Sequence, residues 1–310
     1  MAIAVAVPPK VRLVISDRIR HRLDDGSLTS AQVDQFRSFL QEVDRELLQH
    51  RIILQNRYTV WFQKGLASDE ELRFFIQQFS VFSNQFLIAS LLKVINADTL
   101  EQMHSSKQIL LNELGVIYRR GDRPLGDRSG LSDEDKEREG DPELVSTEGT
   151  VDGGIYRFRA AHFEWLLHIG EKLDLGFNDL GKRRHGRPST LFFCDELQRL
   201  YGSEDAAIAE GASFAVENWA AAGFWQELED GLMHIKKTRI PALPLAFFTW
   251  HNRVEGQHAS HTLEELEETY FSDHFNKEKF MQGGREILES VAAFWDGLDN
   301  DRTAGNSKVI

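Results

Sequence analysis

Apolar residues recur at every third or fourth position over most of this chain, the period of a helix that buries one face. Between residues 29 and 64 they fall at Val33, Phe36, Phe39, Leu40, Val43, Leu47, Leu48 and Ile52, which predicts one long helix or two with a kink. Ser68-Asp69-Glu70-Glu71 reads as a capping box, in which the serine and the glutamate three positions on each bond a backbone N–H of the other. It opens a Phe-rich helix to about Asn96, and Asp98 caps another that runs through Leu114 and stops at Gly115. Helical spacing resumes at Gly154 with Phe158, His162, Trp165, Leu166, Ile169 and Leu173, ending at Gly176. Shorter helices follow over 189–201, from Ser203-Glu204-Asp205 to about Phe224, and over 225–236. Pro241 and Pro244 break the run, and helices over 246–270 and 277–298 complete it.

Three stretches fall outside this pattern. Residues 1–28 form an N-terminal arm, with residues 11–15 its one strand-like run, and 299–310 read as a disordered tail. Residues 121–150 hold ten acidic against four basic residues, five glycines and two prolines. So little apolar surface cannot build a core, which predicts a mobile acidic insertion over 121–153, either a plain surface loop or a lid over a nearby site. The expected fold is all-α, a single domain over 29–298.

Composition narrows the function. The 310 residues carry a formal net charge of -13 and one cysteine, Cys194. A single cysteine excludes an intramolecular disulfide framework and fits a cytoplasmic protein. The acidic balance disfavours a nucleic-acid partner, which needs a basic surface, and no run of roughly 18 apolar residues predicts a membrane span. Glycine-rich phosphate loops, nucleophile elbows and Cys-x-x-Cys pairs are missing, so a small-molecule substrate and another chemistry are expected.

That chemistry centres on His251, Glu255 and His258 in the 246–270 helix. Residues at i, i+4 and i+7 share a helix face, so two imidazoles and a carboxylate point one way. A divalent metal would satisfy all three; a solvated polar face is the plainer alternative. Other helices add Glu113, His162 and Glu217, with Glu210 one more carboxylate on the face of Glu217. Six such groups from several helices suit a two-iron carboxylate site: hard oxygen donors for the charge, imidazoles to complete each coordination sphere. The surrounding Trp219, Trp225 and Trp250 read as core packing, and the basic loop 182–187 as solvated charge.

In Asn112-Glu113-Leu114-Gly115, Ala161-His162, Leu166-Leu167, Leu173-Asp174-Leu175-Gly176, Val216-Glu217-Asn218-Trp219 and His251-x-x-x-Glu255-x-x-His258, the chain resembles the haem-oxygenase-like diiron oxidases and oxygenases. The likeness spans about Phe75 to Phe271. It implies a seven-helix bundle around two Fe(II) ions per chain, with O2 as co-substrate and an amino acid, amine or fatty acid oxidised. Glu113, His162, His251, Glu255 and His258 would be ligands, and Glu217 bridging or terminal; a homodimer and an external electron donor are compatible with this. One departure stands out: the family's first Glu and His share one helix, whereas Glu113 and His162 lie 49 residues apart. Two alternatives use the same residues. Glu101/His104 with Glu255/His258 form the paired Glu-x-x-His signature of ferritin-like di-iron bundles, which leaves His251 unexplained. A metal-free binding protein or cofactorless oxidase on the same scaffold would keep the histidines merely hydrogen-bonded.

Overall fold

The computed structural model describes residues 15–120, 150–151, 154–158 and 160–309, with the backbone alone at 101, 117–120, 150–151, 154–158 and 254–261. In chain order its elements are α1 (Asp17–Asp24), α2 (Ser30–Val43), α3 (Arg51–Leu54), α4 (Arg57–Phe62), α5 (Asp69–Ile95), α6 (Leu100–Glu113), β1 (Val116–Arg120), β2 (Thr150–Val151), β3 (Gly154–Phe158), α7 (His162–Glu171), α8 (Pro188–Glu196), α9 (Ala206–Ala220), α10 (Phe224–Thr238), α11 (Ala246–Thr269) and α12 (Lys277–Thr303). The core is all-α.

Helix α5 runs through the middle. Its capping box forms as expected, with the Glu71 N–H donating to Ser68 Oγ at 3.1 Å and the Ser68 N–H donating to Glu71 Oε2 at 2.8 Å. The following turns are apolar all round because they are covered all round: Phe74, Phe75, Ile76, Phe79 and Val81 are each at most 1% exposed. Among the described helices α5 alone is long and apolar enough to cross a membrane. Buried Gln77 and Gln78 reach out of it, donating to the carbonyls of Asp179 and His185. They tie down the basic loop 182–187, so His185 is buried while the arginines around it stay at the surface.

The tightest helix pair is α9 against α12, and glycine makes it possible. A Cβ on Gly211 would sit 1.9 Å from the Phe280 carbonyl oxygen, and one on Gly283 would sit 2.2 Å from that of Ile208. Each helix thus places a bare backbone under the other, and α9 buries every residue from Gly211 to Ala220.

Several elements depart from expectation. The helical stretch after Val43 ends in a wide turn over Asp44–Leu48; His50 and Asn56 then cap two short helices in place of one long one. The arm is helical from Asp17: Ser16 caps α1, Ile19 and Leu28 pack on Val33, and the Ser16 N–H donates to Glu267 Oε1 at 2.9 Å. The tail is ordered too, since α12 continues to Thr303 around buried Asp299, and Arg187 donates to the Asn306 carbonyl at 2.7 Å. Residues 154–158 form a strand where helix was expected. The β-branched and aromatic runs Val116-Ile117-Tyr118 and Ile155-Tyr156 favour pairing, and β1–β3–β2 make a small antiparallel sheet with Val116 opposite Phe158 and Arg120 opposite Gly154. The insertion expected as a mobile loop lies, for residues 121–149 and 152–153, outside the described residues, as does the strand-like run at its 11–14 part.

Candidate functional site

Two chain reversals bring the first acid and the first histidine together. Helix α6 ends at Glu113, and Gly115, with φ 66°, adopts the left-handed conformation that turns the chain into β1. The β1–β3 ladder returns it, and the Ala161 N–H, donating to Glu164 Oε2 at 2.9 Å, starts α7 with His162 as its first residue. The outcome is a contact of 2.8 Å between Glu113 Oε2 and His162 Nδ1, with the two side chains 12% and 5% exposed. Among the described residues between them, the β1–β3 ladder bridges the two helix ends.

Helix α11 supplies His251, whose Nδ1 lies 2.6 Å from the carbonyl oxygen of Phe247, one turn back. A carbonyl only accepts, so Nδ1 of His251 is assigned a proton. Glu113 Oε2 likewise accepts from Nδ1 of His162. Anchoring one ring nitrogen on a carboxylate or a carbonyl is how proteins orient imidazoles that bind metals through the other. The two rings lie 4.7 Å apart, centre to centre. Trp225 stacks on His251 at 4.4 Å, and Trp250 packs on both imidazoles, at 5.0 and 4.9 Å.

Glu113, His162, Glu217 and His251, from α6, α7, α9 and α11, line one cavity. Glu217 is 8% exposed in the last turn of α9. The remaining wall is chiefly aromatic, including Phe79, Phe82, Phe86, Trp219, Trp225 and Trp250. The three tryptophans read as plain core are thus walls of the site. Trp250, adjacent to His251, carried a signal for this; Phe79, Phe82 and Phe86 sit at helical spacing and announce only burial.

Not every expected residue is placed. The backbone of α11 carries Glu255 and His258 one and two turns beyond His251, and their side chains lie outside the described residues. Among the described residues no three acidic, histidine or cysteine side chains converge closely enough to hold a metal. Four of the six candidates share the cavity, and a complete set needs the other two. Their donor chemistry, two carboxylates and two imidazoles anchored at Nδ1, fits iron. His104 of the alternative pair is exposed on α6; the side chain of Glu101 lies outside the described residues.

A second, larger space adjoins the first, and Ile109, Asn112 and Glu217 line both. Beyond it Glu210 faces a third pocket with Lys93, Gln102 and Glu265. There it accepts from Gln102 at 3.2 Å, and burial pushes its carboxyl up to about 7. No protein-family model matches the chain, and no curated protein matches it in sequence.

Proposed function

We propose that the protein is a non-haem diiron oxidase or oxygenase of the haem-oxygenase-like family, with two Fe(II) ions per chain and O2 as co-substrate, acting on a small organic molecule in the cytoplasm. The observation that carries this reading is the shared cavity, where Glu113, His162, Glu217 and His251 arrive from four helices. Bound iron supplies the electrons for activating O2. The chain does the rest. His162 and His251 bring imidazoles oriented through Nδ1, Glu113 sets the tilt of His162, and Glu217 brings a second buried carboxylate. Glu255 and His258 complete the ligand set in this reading. The aromatic walls exclude water and leave room for an apolar substrate. Oxygen uptake by the ferrous protein, measured with a panel of amines, amino acids and fatty acids, tests it: uptake should be stimulated by substrate and vanish in His251→Ala. Full uptake in that variant removes the proposal.

The direct Glu113–His162 contact supports a second reading, a metal-free site. A carboxylate-anchored imidazole in an apolar cavity is a general base in its own right, and a cofactorless oxidase could use it to deprotonate its substrate. Uptake that survives thorough chelation and still needs His162 would favour that reading.

A further inference from the structure

The two adjoining cavities differ in character. The inner one, behind His162 and His251, is walled mainly by phenylalanine and tryptophan rings. The outer one is lined by Glu217, Glu264, Glu265 and Glu268, with Lys93 the one cation among the described lining residues. Lys93 is held against the wall, its Nζ donating to Ser213 Oγ at 2.6 Å and lying 4.6 Å from the centre of the Tyr201 ring. Arg18 pairs with Glu268 from the outside. Ser105, Gln108 and Thr262 also line it. Asn112 and Glu217 form the junction, within the same cavity wall as the Glu113–His162 pair.

We infer that both cavities hold one elongated substrate, an amine whose ammonium group sits among the carboxylates of the outer space and whose apolar carbon body lies in the aromatic inner one. This rests on the proposed reaction taking place at the His162/His251 wall. It selects among substrate classes on charge. A cleft lined mostly by carboxylates concentrates cations and repels anions, so a fatty acid entering head-last would bring its carboxylate against Glu264 and Glu265. An alkylammonium meets acceptors at its head and rings along its body; the cation is further favoured by aromatic faces on the way past the junction.

Tryptophan fluorescence provides the test, since Trp219, Trp225 and Trp250 line the inner cavity. The full-length, metal-free protein is titrated with n-octylammonium, octanoate and 1-octanol at low and moderate salt. Octylammonium should bind tightest, and the double variant Glu264→Gln/Glu265→Gln should weaken it about tenfold, a single decade of affinity, while leaving 1-octanol unchanged. Ala220→Trp, which fills the inner cavity, should abolish quenching by both. Octanoate binding as tightly as octylammonium, or a double variant that binds octylammonium like the parent, overturns the inference. Amine selectivity in a protein that takes up no iron supports the inference and removes the oxidase reading; iron uptake with no amine preference does the reverse.

Discussion

Two joints in this molecule solve the same problem, bringing buried groups from distant segments into contact, by different means. At the α9–α12 joint the backbones themselves touch through Gly211 and Gly283, and the fit tolerates no added atom. At the α6–α7 joint Glu113 and His162 meet through their side chains, and a strand ladder holds the two helix ends in register. The first arrangement is rigid because close-packed backbone cannot yield. The second depends on a small sheet and a hydrogen bond, and it holds the pair at the centre of the proposed site. The protein thus places its least adaptable packing next to Glu217 on α9 and its more adaptable joint at the acid–histidine pair.

The sharpest way to break the comparison is to add a side chain at the rigid joint. Gly211→Val puts carbon where the Phe280 carbonyl stands, and overpacking against backbone should cost about 3 kcal/mol or more. Urea unfolding should show a large drop in midpoint; a drop of a few tenths of a molar would mean that α9 and α12 slide apart easily. At the second joint, Glu113→Ala leaves a buried imidazole N–H without its acceptor, for which about 1–3 kcal/mol is expected. His162→Ala should cost less when Glu113 is already absent, leaving only its packing contacts to lose, and a double-mutant cycle measures that coupling.

A pH effect sharpens the picture nearby. Burial raises the Glu210 carboxyl to about 7 from 4.5, so between these values the folded state holds a proton that the unfolded chain releases. Stability from this group is therefore present below about pH 4.5 and lost as pH rises toward 7. Glu210→Gln keeps the site neutral, and above pH 7 it should be more stable than the parent by about 1–2 kcal/mol once partial exposure is allowed for, with no gain below pH 4.5. A gain that is the same at every pH would trace to packing. The smallest effect on overall stability is expected in the sheet: Ile117→Pro removes a donor from β1. It should leave helical circular dichroism nearly unchanged while lowering the affinity for iron, which separates the ladder's positioning role from bulk stability.

Much of the fold could be read along the chain because most of its helices bury one face at a regular period. The capping box at Ser68, the Asp205 cap and the breaks at Pro241 and Pro244 all lie where local chemistry puts them. What escaped was non-local. The strands at Ile117 and Ile155 are too short to announce themselves against a helical background, and their pairing depends on residues across an acidic insertion. The order of the tail rests on Arg187 reaching Asn306, and that of the arm on Ser16 meeting Glu267, contacts that no window of sequence contains. For the site, types and order of donors were legible in Glu113, His162, Glu217 and His251, and the structure adds that one cavity collects them. The aromatic walls were not, because Phe79 and Trp225 look like core residues until a cavity is found beside them.

The central claim is that the chain is a two-iron site built from these helices, and counting metal tests it most directly. Protein loaded with Fe(II) under anaerobic conditions and desalted should retain two iron ions per chain. The His162→Ala/His251→Ala variant, folded by circular dichroism, should retain at most one. Parent protein that keeps no iron, or a double variant that keeps as much as the parent, contradicts the account.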